Sequence, residues 1–195
     1  MTMTTPAPGF ADPVADSQNA FRALLEAIAR PGKIVELPAP DGVPEGLSAA
    51  QASIALALLD ADTPVHLAPG CAKARGWIAF HTGAPAADAP AAARFAFVAA
   101  GDEAPAPAAC DLGTDVYPDR STTLVLEAPG FSYDGGYALS GPGIASVARA
   151  HLPLTDSFLA AREALAELFP RGLDLLLTDG IRVLALPRTT RVEKR

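Results

Sequence analysis

The chain has 195 residues, of which half are hydrophobic and 19% are charged, and its formal net charge is −7. This length and apolar content predict one domain over residues 1–195, with residues 1–9 as a disordered N-terminal tail. An acidic chain with so few lysines is not expected to bind DNA or RNA, because nucleic-acid binding normally needs a basic face. No leader or membrane-spanning run is recognisable, so we expect a cytoplasmic protein without membrane contact.

The first helix is expected over residues 16–30, capped by Asp16 or Ser17 and ended by Pro31 and Gly32. Its apolar positions recur every three or four residues, as they do on the buried stripe of an amphipathic helix. That spacing predicts a core-facing side made of Phe21, Leu24, Leu25 and Ile28.

A second helix is expected to begin at Ser48, because Gln51 three residues later completes a capping box, and to end near Asp60. Residues 65–67 then read as a short apolar strand. Two cysteines follow, Cys71 and Cys110, in neither a redox nor a zinc-binding spacing. We expect two free buried thiols, with a disulfide as the alternative in an oxidising compartment.

The remaining segments mix strands and helices. Residues 77–80 are either a strand or the last turn of a helix, and residues 155–169 form a clear helix. Further strands are expected at residues 94–99, 121–127, 136–139, 173–178 and 181–186, the last two joined by Asp179 and Gly180 as a hairpin. Because some neighbouring strands leave no room for a crossover helix, the sheet of this α/β protein should be mixed.

No catalytic motif is complete. A phosphate-binding P-loop fails because the Gly32-Lys33 pair is not followed by serine or threonine. A dinucleotide fingerprint fails because Ser146 stands where the third glycine belongs. Ser140 lacks the glycine two residues earlier that a hydrolase elbow needs. Three scattered histidines do not make a metal site, so no metal is expected.

Two features still admit an anion-binding interpretation. The backbone N–H groups of the turn at Gly141 and Gly143 could converge on an anion, although a tight turn needs the same glycines. Arg188 and Thr189, in a Pro-Arg-Thr-Thr segment, offer a guanidinium and a hydroxyl to a phosphate. The alternative for that segment is a solvated capping role.

Gln18 and Arg22 lie one helical turn apart and face the same way. This spacing is more typical of a polar surface pair than of a site. Asp60 and Asp62 could bind a cation, but an acidic turn that ends a helix is the commoner use.

Seven short blocks follow one another between Phe10 and Val192, and together they resemble one known family. The blocks are residues 10–18 with 21–22 and 30–32, then 59–65, 80–84, 121–124, 139–144, 169–174 and 186–190. The family that they resemble is PhnH, whose members are subunits of the bacterial carbon–phosphorus lyase system for phosphonate utilisation.

The resemblance implies a subunit that works with partner subunits to attach an alkylphosphonate to the ribose C1 of ATP, with release of adenine. It implies a three-layer α/β/α fold similar to pyridoxal-phosphate-dependent transferases but without their cofactor, and a homodimer when the chain is alone. The positions of Lys33, Lys73 and Lys194, beside a glycine, in a turn-like stretch and at the terminus, agree with the missing cofactor, since a Schiff base needs a buried lysine.

Two hypotheses follow about its role. In the first, the chain supplies binding surface to the other lyase subunits and carries no chemistry. In the second, Gly141, Gly143 and Arg188 surround the ATP or alkylphosphonate. The missing catalytic motif favours the first. A third interpretation is a stand-alone α/β protein that binds a small anion or nucleotide and has no role in phosphonate chemistry.

Overall fold

The computed structural model describes residues 6–195 and combines four helices with nine strands in its described part. The helices are α1 (Pro13–Ala29), α2 (Ala49–Leu58), α3 (Arg75–Thr82) and α4 (Asp156–Ala164). The strands are β1 (Ile34–Glu36), β2 (Val65–Leu67), β3 (Phe95–Val98), β4 (Thr123–Glu127), β5 (Ser132–Ser140), β6 (Ala148–His151), β7 (Asp174–Asp179), β8 (Arg182–Leu186) and β9 (Arg191–Lys194).

Helix α1 begins three residues before the predicted start, because Asp12 rather than Asp16 or Ser17 caps it. The Asp12 carboxylate accepts hydrogen bonds from the backbone N–H groups of Val14 and Ala15, and Pro13 occupies the first turn. The predicted core face is wrong for most of its members. The buried positions are Ala20, Leu24 and Ala27, whereas Phe21, Leu25 and Ile28 are exposed.

Helix α2 carries the predicted capping box, in which Ser48 accepts from the Gln51 backbone and Gln51 accepts from the Ser48 backbone. Gln51 is also fully buried, and its side-chain amide donates to the carbonyl of Val98 at 2.9 Å. The cap therefore ties the start of the helix to the end of a sheet strand, since a buried amide needs such a partner.

Six strands form one sheet in the order β1-β8-β7-β4-β3-β2. The neighbours among β2, β3, β4 and β7 are parallel, whereas β8 runs antiparallel to β7 and to β1. The mixed sheet is thus confirmed, as is the hairpin, whose register pairs Asp179 with Arg182. Residues 77–80 belong to a helix, and the predicted helix at 155–169 ends its regular part at Ala164 and continues as a 3-10 turn.

Alternate residues of the sheet strands point into two hydrophobic cores. The first core lies under α1, α2 and α3 and includes Phe97 and Val125. The second core includes Leu124 and Leu126 and is covered by α4 together with a three-stranded sheet of order β6-β5-β9. Three layers are present, but one outer layer is part helix and part sheet, unlike the helical layer that was expected on both faces.

The two cysteines lie in different cores, Cys71 in the first and Cys110 in the second, and both are free and buried. The prediction of free thiols is confirmed, and the disulfide alternative is wrong. Burial raises the pKa of the Cys71 thiol to about 12, and Asp102 and Glu127 add to the rise. Burial raises the pKa of Cys110 to about 11.

Part of the predicted tail packs on the domain. The Ala7 carbonyl accepts a hydrogen bond from the Trp77 indole at 2.8 Å, and the Gly9 carbonyl accepts one from the Asp41 backbone at 3.0 Å. These contacts pack residues 7–9 against the domain, and residues 1–5 of that tail lie outside the described residues, so disorder of the tail stays a prediction. Within residues 6–195, no helix combines the length and the apolar character needed to cross a bilayer.

Candidate functional site

Arg188 is the most heavily bonded side chain of the predicted anion site. Its Nε and Nη2 donate to the Asp174 carboxylate, Nη2 also donates to the Ser121 hydroxyl at 2.6 Å, and Nη1 donates to two backbone carbonyls, those of Pro118 and Pro170. Because a guanidinium has five N–H groups and these bonds use all of them, no donor is left for an anion. Arg188 therefore links the start of β7 and the end of β8 to the segment that precedes β4.

The Pro-Arg-Thr-Thr segment is held from its other side by Arg162 on α4. This buried guanidinium donates to the carbonyls of Leu186, Pro187 and Thr190, and burial lowers its pKa. Thr189 lies between these anchors. Because this buried cation bonds only to backbone carbonyls, it holds the backbone in place and does not hold a ligand. The contacts of the Pro-Arg-Thr-Thr segment are therefore structural.

The two turn glycines serve close backbone packing. A Cβ on Gly141 would lie 2.7 Å from the carbonyl oxygen of Thr189, and one on Gly143 would lie 2.2 Å from that of Ala29. Both glycines have positive φ, 130° and 85°. The fold therefore brings Gly141 to Thr189 and places Gly143 against the end of α1. Anion binding by the four predicted residues stays a prediction.

The predicted pair on α1 lies at the surface. Arg22 Nη2 donates to Gln18 Oε1 at 3.4 Å, and Arg22 Nη1 lies 3.5 Å from Asn19 Oδ1. All three side chains are exposed. Nothing else in the described chain converges on them.

A groove of about 510 Å³ opens beside Gly143, and we call it the basic groove. Its lining comes from the segment between α1 and β1 (residues 30–33), from Tyr133 of β5, and from the turn before β6 with the first two residues of β6 (residues 143–149). Arg30, Lys33 and Arg149 contribute three cationic side chains.

One carboxylate balances part of that charge. Glu26 Oε1 lies 2.7 Å from Arg30 Nη1 and 2.7 Å from Lys33 Nζ. The hydrogen bond from Lys33 holds the pKa of Glu26 below its usual value, and Arg30 adds to this. Arg149 makes no ion pair with any described carboxylate. The groove therefore carries net positive charge on an acidic protein.

A larger cavity, of about 640 Å³, lies beyond the carboxyl ends of β3 and β4, and we call it the acidic cavity. Asp102, Glu103 and Glu127 line it, and its described lining holds no lysine or arginine. Apolar and small residues complete the wall, including Leu126 and Phe158.

Two of these carboxylates brace the backbone around the cavity. Glu127 accepts from the Thr178 hydroxyl at 2.6 Å and from the Gly180 backbone N–H at 3.3 Å, and Asp102 accepts from the Gly70 N–H at 2.9 Å. Across residues 6–195, no three His, Cys, Asp or Glu side chains come close enough together to hold a metal ion.

Among the described residues, no histidine hydrogen-bonds to a hydroxyl or thiol that could act as a nucleophile. His66 Nδ1 lies 3.2 Å from a backbone carbonyl, and His81 Nε2 lies 2.9 Å from another. The raised pKa of both thiols keeps Cys71 and Cys110 protonated at neutral pH, which removes their nucleophilic form.

The basic groove was missed in the sequence, apart from Gly143. Arg30 and Lys33 flank the Pro-Gly stop of α1, where they were read only as the end of a helix and a failed P-loop. Arg149 follows the glycine turn by six residues. Arg30 and Lys33 beside a glycine turn were a usable signal for a cationic site. The neighbouring sequence does not show that Arg149 and Tyr133 lie next to them in the fold.

Comparison with known proteins identifies the family of this chain. The family model described as bacterial phosphonate metabolism protein (PhnH) matches residues 8–193. The chain is 45% identical over 190 residues to the alpha-D-ribose 1-methylphosphonate 5-triphosphate synthase subunit PhnH of Rhizobium meliloti (strain 1021), covering 95% of this chain and 94% of that one. It is 30% identical over 179 residues to the putative C-P lyase subunit protein HtxG of Stutzerimonas stutzeri, covering 90% and 85%. This chain belongs to the PhnH family of bacterial phosphonate metabolism proteins.

Proposed function

We propose that this chain is a cytoplasmic, single-domain subunit of a carbon–phosphorus lyase assembly that transfers an alkylphosphonate to the ribose C1 of ATP and releases adenine. Its role is to bind partner subunits, without a cofactor of its own. The 45% identity to a protein named as a synthase subunit, over nearly the full length of both chains, carries this proposal. In the described residues no histidine hydrogen-bonds to a hydroxyl or thiol, which supports a binding role.

A surface suited to association runs along α1. Val14, Phe21, Leu25 and Ile28 are between 45% and 69% exposed, and with Gln18 they fall at alternating spacings of four and three residues. Such spacing forms the seam of a coiled coil, in which each side chain enters a hole on a second helix. We call these five residues the α1 seam.

The occupant of the α1 seam is the same helix of a second copy when the chain is alone. The seam is apolar except for Gln18, and one polar residue at such a position fixes register between two matched helices. A homodimer would remove four exposed apolar side chains from water, which favours association.

The dimer is tested by sedimentation of the purified chain. Leu25→Glu places a charge in the seam and should convert the dimer to monomer, with the helix itself intact because Leu25 is 50% exposed and lies outside the buried core. Val116→Glu is the matched control, since Val116 is 76% exposed and lies outside α1. A Leu25→Glu variant that remains dimeric would contradict this use of the seam.

The subunit role is tested by co-expression with the other lyase subunits. The chain should co-purify with them, and adenine release from ATP and methylphosphonate should require the partners. Adenine release by the isolated chain would contradict the binding role. The second candidate, a stand-alone protein for small anions or nucleotides, is favoured by the basic groove. It would be supported if the chain bound an anion but never co-purified with the lyase subunits.

A further inference from the structure

We propose that the basic groove is a binding site for a phosphate-bearing anion, with triphosphate as the group that fits its charge. This inference deepens the proposed function, on which its choice of triphosphate rests. The site differs from the sequence-predicted one, since Gly143 is the one residue that the two share.

The first support is charge. Three cationic side chains line the groove, whereas one carboxylate, that of Glu26, lies against two of them through a single oxygen. Arg149 is exposed and has no carboxylate partner among the described residues. A cluster of cations with an incomplete counterion attracts a multivalent anion, even on a chain whose net charge is −7.

The second support is the backbone between Gly143 and β6. The N–H groups of residues 145–147 donate no hydrogen bond to any other described residue, and these residues are exposed on the groove. Free N–H groups beside a glycine turn are donors of the kind that phosphate oxygens accept. Cationic side chains and residues with unpaired backbone donors therefore line the same groove.

The third support is the ring of Tyr133. Its hydroxyl accepts a hydrogen bond from the Ile34 N–H at 3.0 Å, which fixes the ring against β1, while the residue stays 56% exposed. A fixed aromatic face beside a cationic groove can stack a purine or a sugar. The acidic cavity, by contrast, lines its space with three carboxylates and would repel the same ligand.

Calorimetric titration of the purified chain at low salt separates the possible ligands. Inorganic tripolyphosphate and ATP should both bind, and adenosine should not bind measurably, because it has no charge for the cations to hold. Raising the salt should weaken tripolyphosphate binding, since screening acts on exposed charges. Absence of tripolyphosphate and ATP binding, or binding of adenosine alone, would overturn the site.

Variants then locate the binding. Arg149→Gln should weaken tripolyphosphate about tenfold, the typical loss for a charge-assisted contact. Arg75→Gln, which removes an exposed cation at the start of α3 outside the groove, should leave the affinity unchanged. Glu26→Gln should tighten binding, because it frees both Arg30 and Lys33. Equal effects of Arg149→Gln and Arg75→Gln would show nonspecific attraction and overturn the proposal.

Co-purification with the lyase subunits is measured on the wild-type chain and on the Arg149→Gln variant. If the wild-type chain binds neither tripolyphosphate nor ATP but still assembles with the subunits, the groove proposal is wrong and the subunit role stands. If assembly fails while the wild-type chain still binds tripolyphosphate, the subunit role is wrong and the groove stands.

Discussion

The acidic cavity and the basic groove have opposite charge and different construction. The cavity is the larger, about 640 against 510 Å³, and lies at the carboxyl ends of parallel strands, where α/β proteins commonly bind ligands. The groove is formed where the end of α1 meets the turn before β6. In a protein of phosphonate metabolism, the sign of the charge indicates the ligand site better than the volume does. Three carboxylates in the acidic cavity would repel a phosphate.

The two regions also differ in what their charges do. In the cavity, Glu127 and Asp102 accept hydrogen bonds from the backbone and so stabilise the surrounding loops. In the groove, Arg149 bonds to no described carboxylate, and Lys33 and Arg30 share one oxygen. Two of the cavity carboxylates therefore stabilise the fold, whereas the three groove cations have a single carboxylate partner among them.

The largest expected effect is a loss of stability on substitution of Gly143, which lines the groove. Gly143→Ala should destabilise the fold by about 3 kcal/mol, because it combines positive φ with a Cβ 2.2 Å from the Ala29 carbonyl. Gly130→Ala is the control, since Gly130 has φ of 98° but no atom within 4 Å of a new Cβ. That change should cost about 1 kcal/mol. Equal losses in urea unfolding would show that the close approach to α1 contributes nothing.

The next effect tests whether the cavity charge is structural. Glu127→Gln should cost about 1–2 kcal/mol in urea unfolding, because the amide cannot accept both hydrogen bonds that the carboxylate accepts. Glu103→Gln removes an exposed charge from the same cavity and should be nearly neutral. If both variants matched the wild type, the cavity carboxylates would be free for a ligand, and the contrast with the groove would fail.

The smallest expected effect concerns the stability of the fold at acidic pH. The Gly130 N–H, with help from Arg182, holds the pKa of Asp179 below its usual 3.8 against the opposing effect of burial. Its contribution is therefore complete above about pH 4 and is lost as the pH falls through the lowered pKa. Asp179→Asn should cost about 1 kcal/mol at pH 7 and leave a shallower loss of stability below pH 4.

Unfolding at several pH values measures the Asp179 effect, with Asp134→Asn as the control on exposed β5. If the loss of stability below pH 4 were unchanged in Asp179→Asn, this carboxylate would not be its source. Because Asp179 accepts a hydrogen bond from Gly130, next to Pro129 of the cavity wall, a positive result would assign part of the acid sensitivity to this segment.

Local signals in the sequence were reliable for the fold. The Ser48–Gln51 capping box and the Asp179-Gly180 hairpin were predictable because each depends on residues within a few positions of one another. The face of α1 was not predictable in the same way. Hydrophobicity ranks Phe21 above Ala20, but α1 packs closely on α2 and β8, where small side chains fit.

The site was harder to predict because its contacts are distant in sequence. Arg188 resembled a free ligand-binding arginine, yet Asp174 lies opposite it only because β7 and β8 pair. Arg149 approaches Lys33 only because the β5–β6 turn folds onto the end of α1. Composition shows the charges but not which of them the fold neutralises.

The placement of the two thiols gives the molecule a natural pair of reporters. Cys71 and Cys110 lie on opposite faces of the six-stranded sheet, each shielded by its own core. A thiol reagent reaches either one only when that side opens, so the two modification rates measure local opening on each face separately. In an assembled complex, the face whose cysteine becomes slower to react is the face that a partner stabilises.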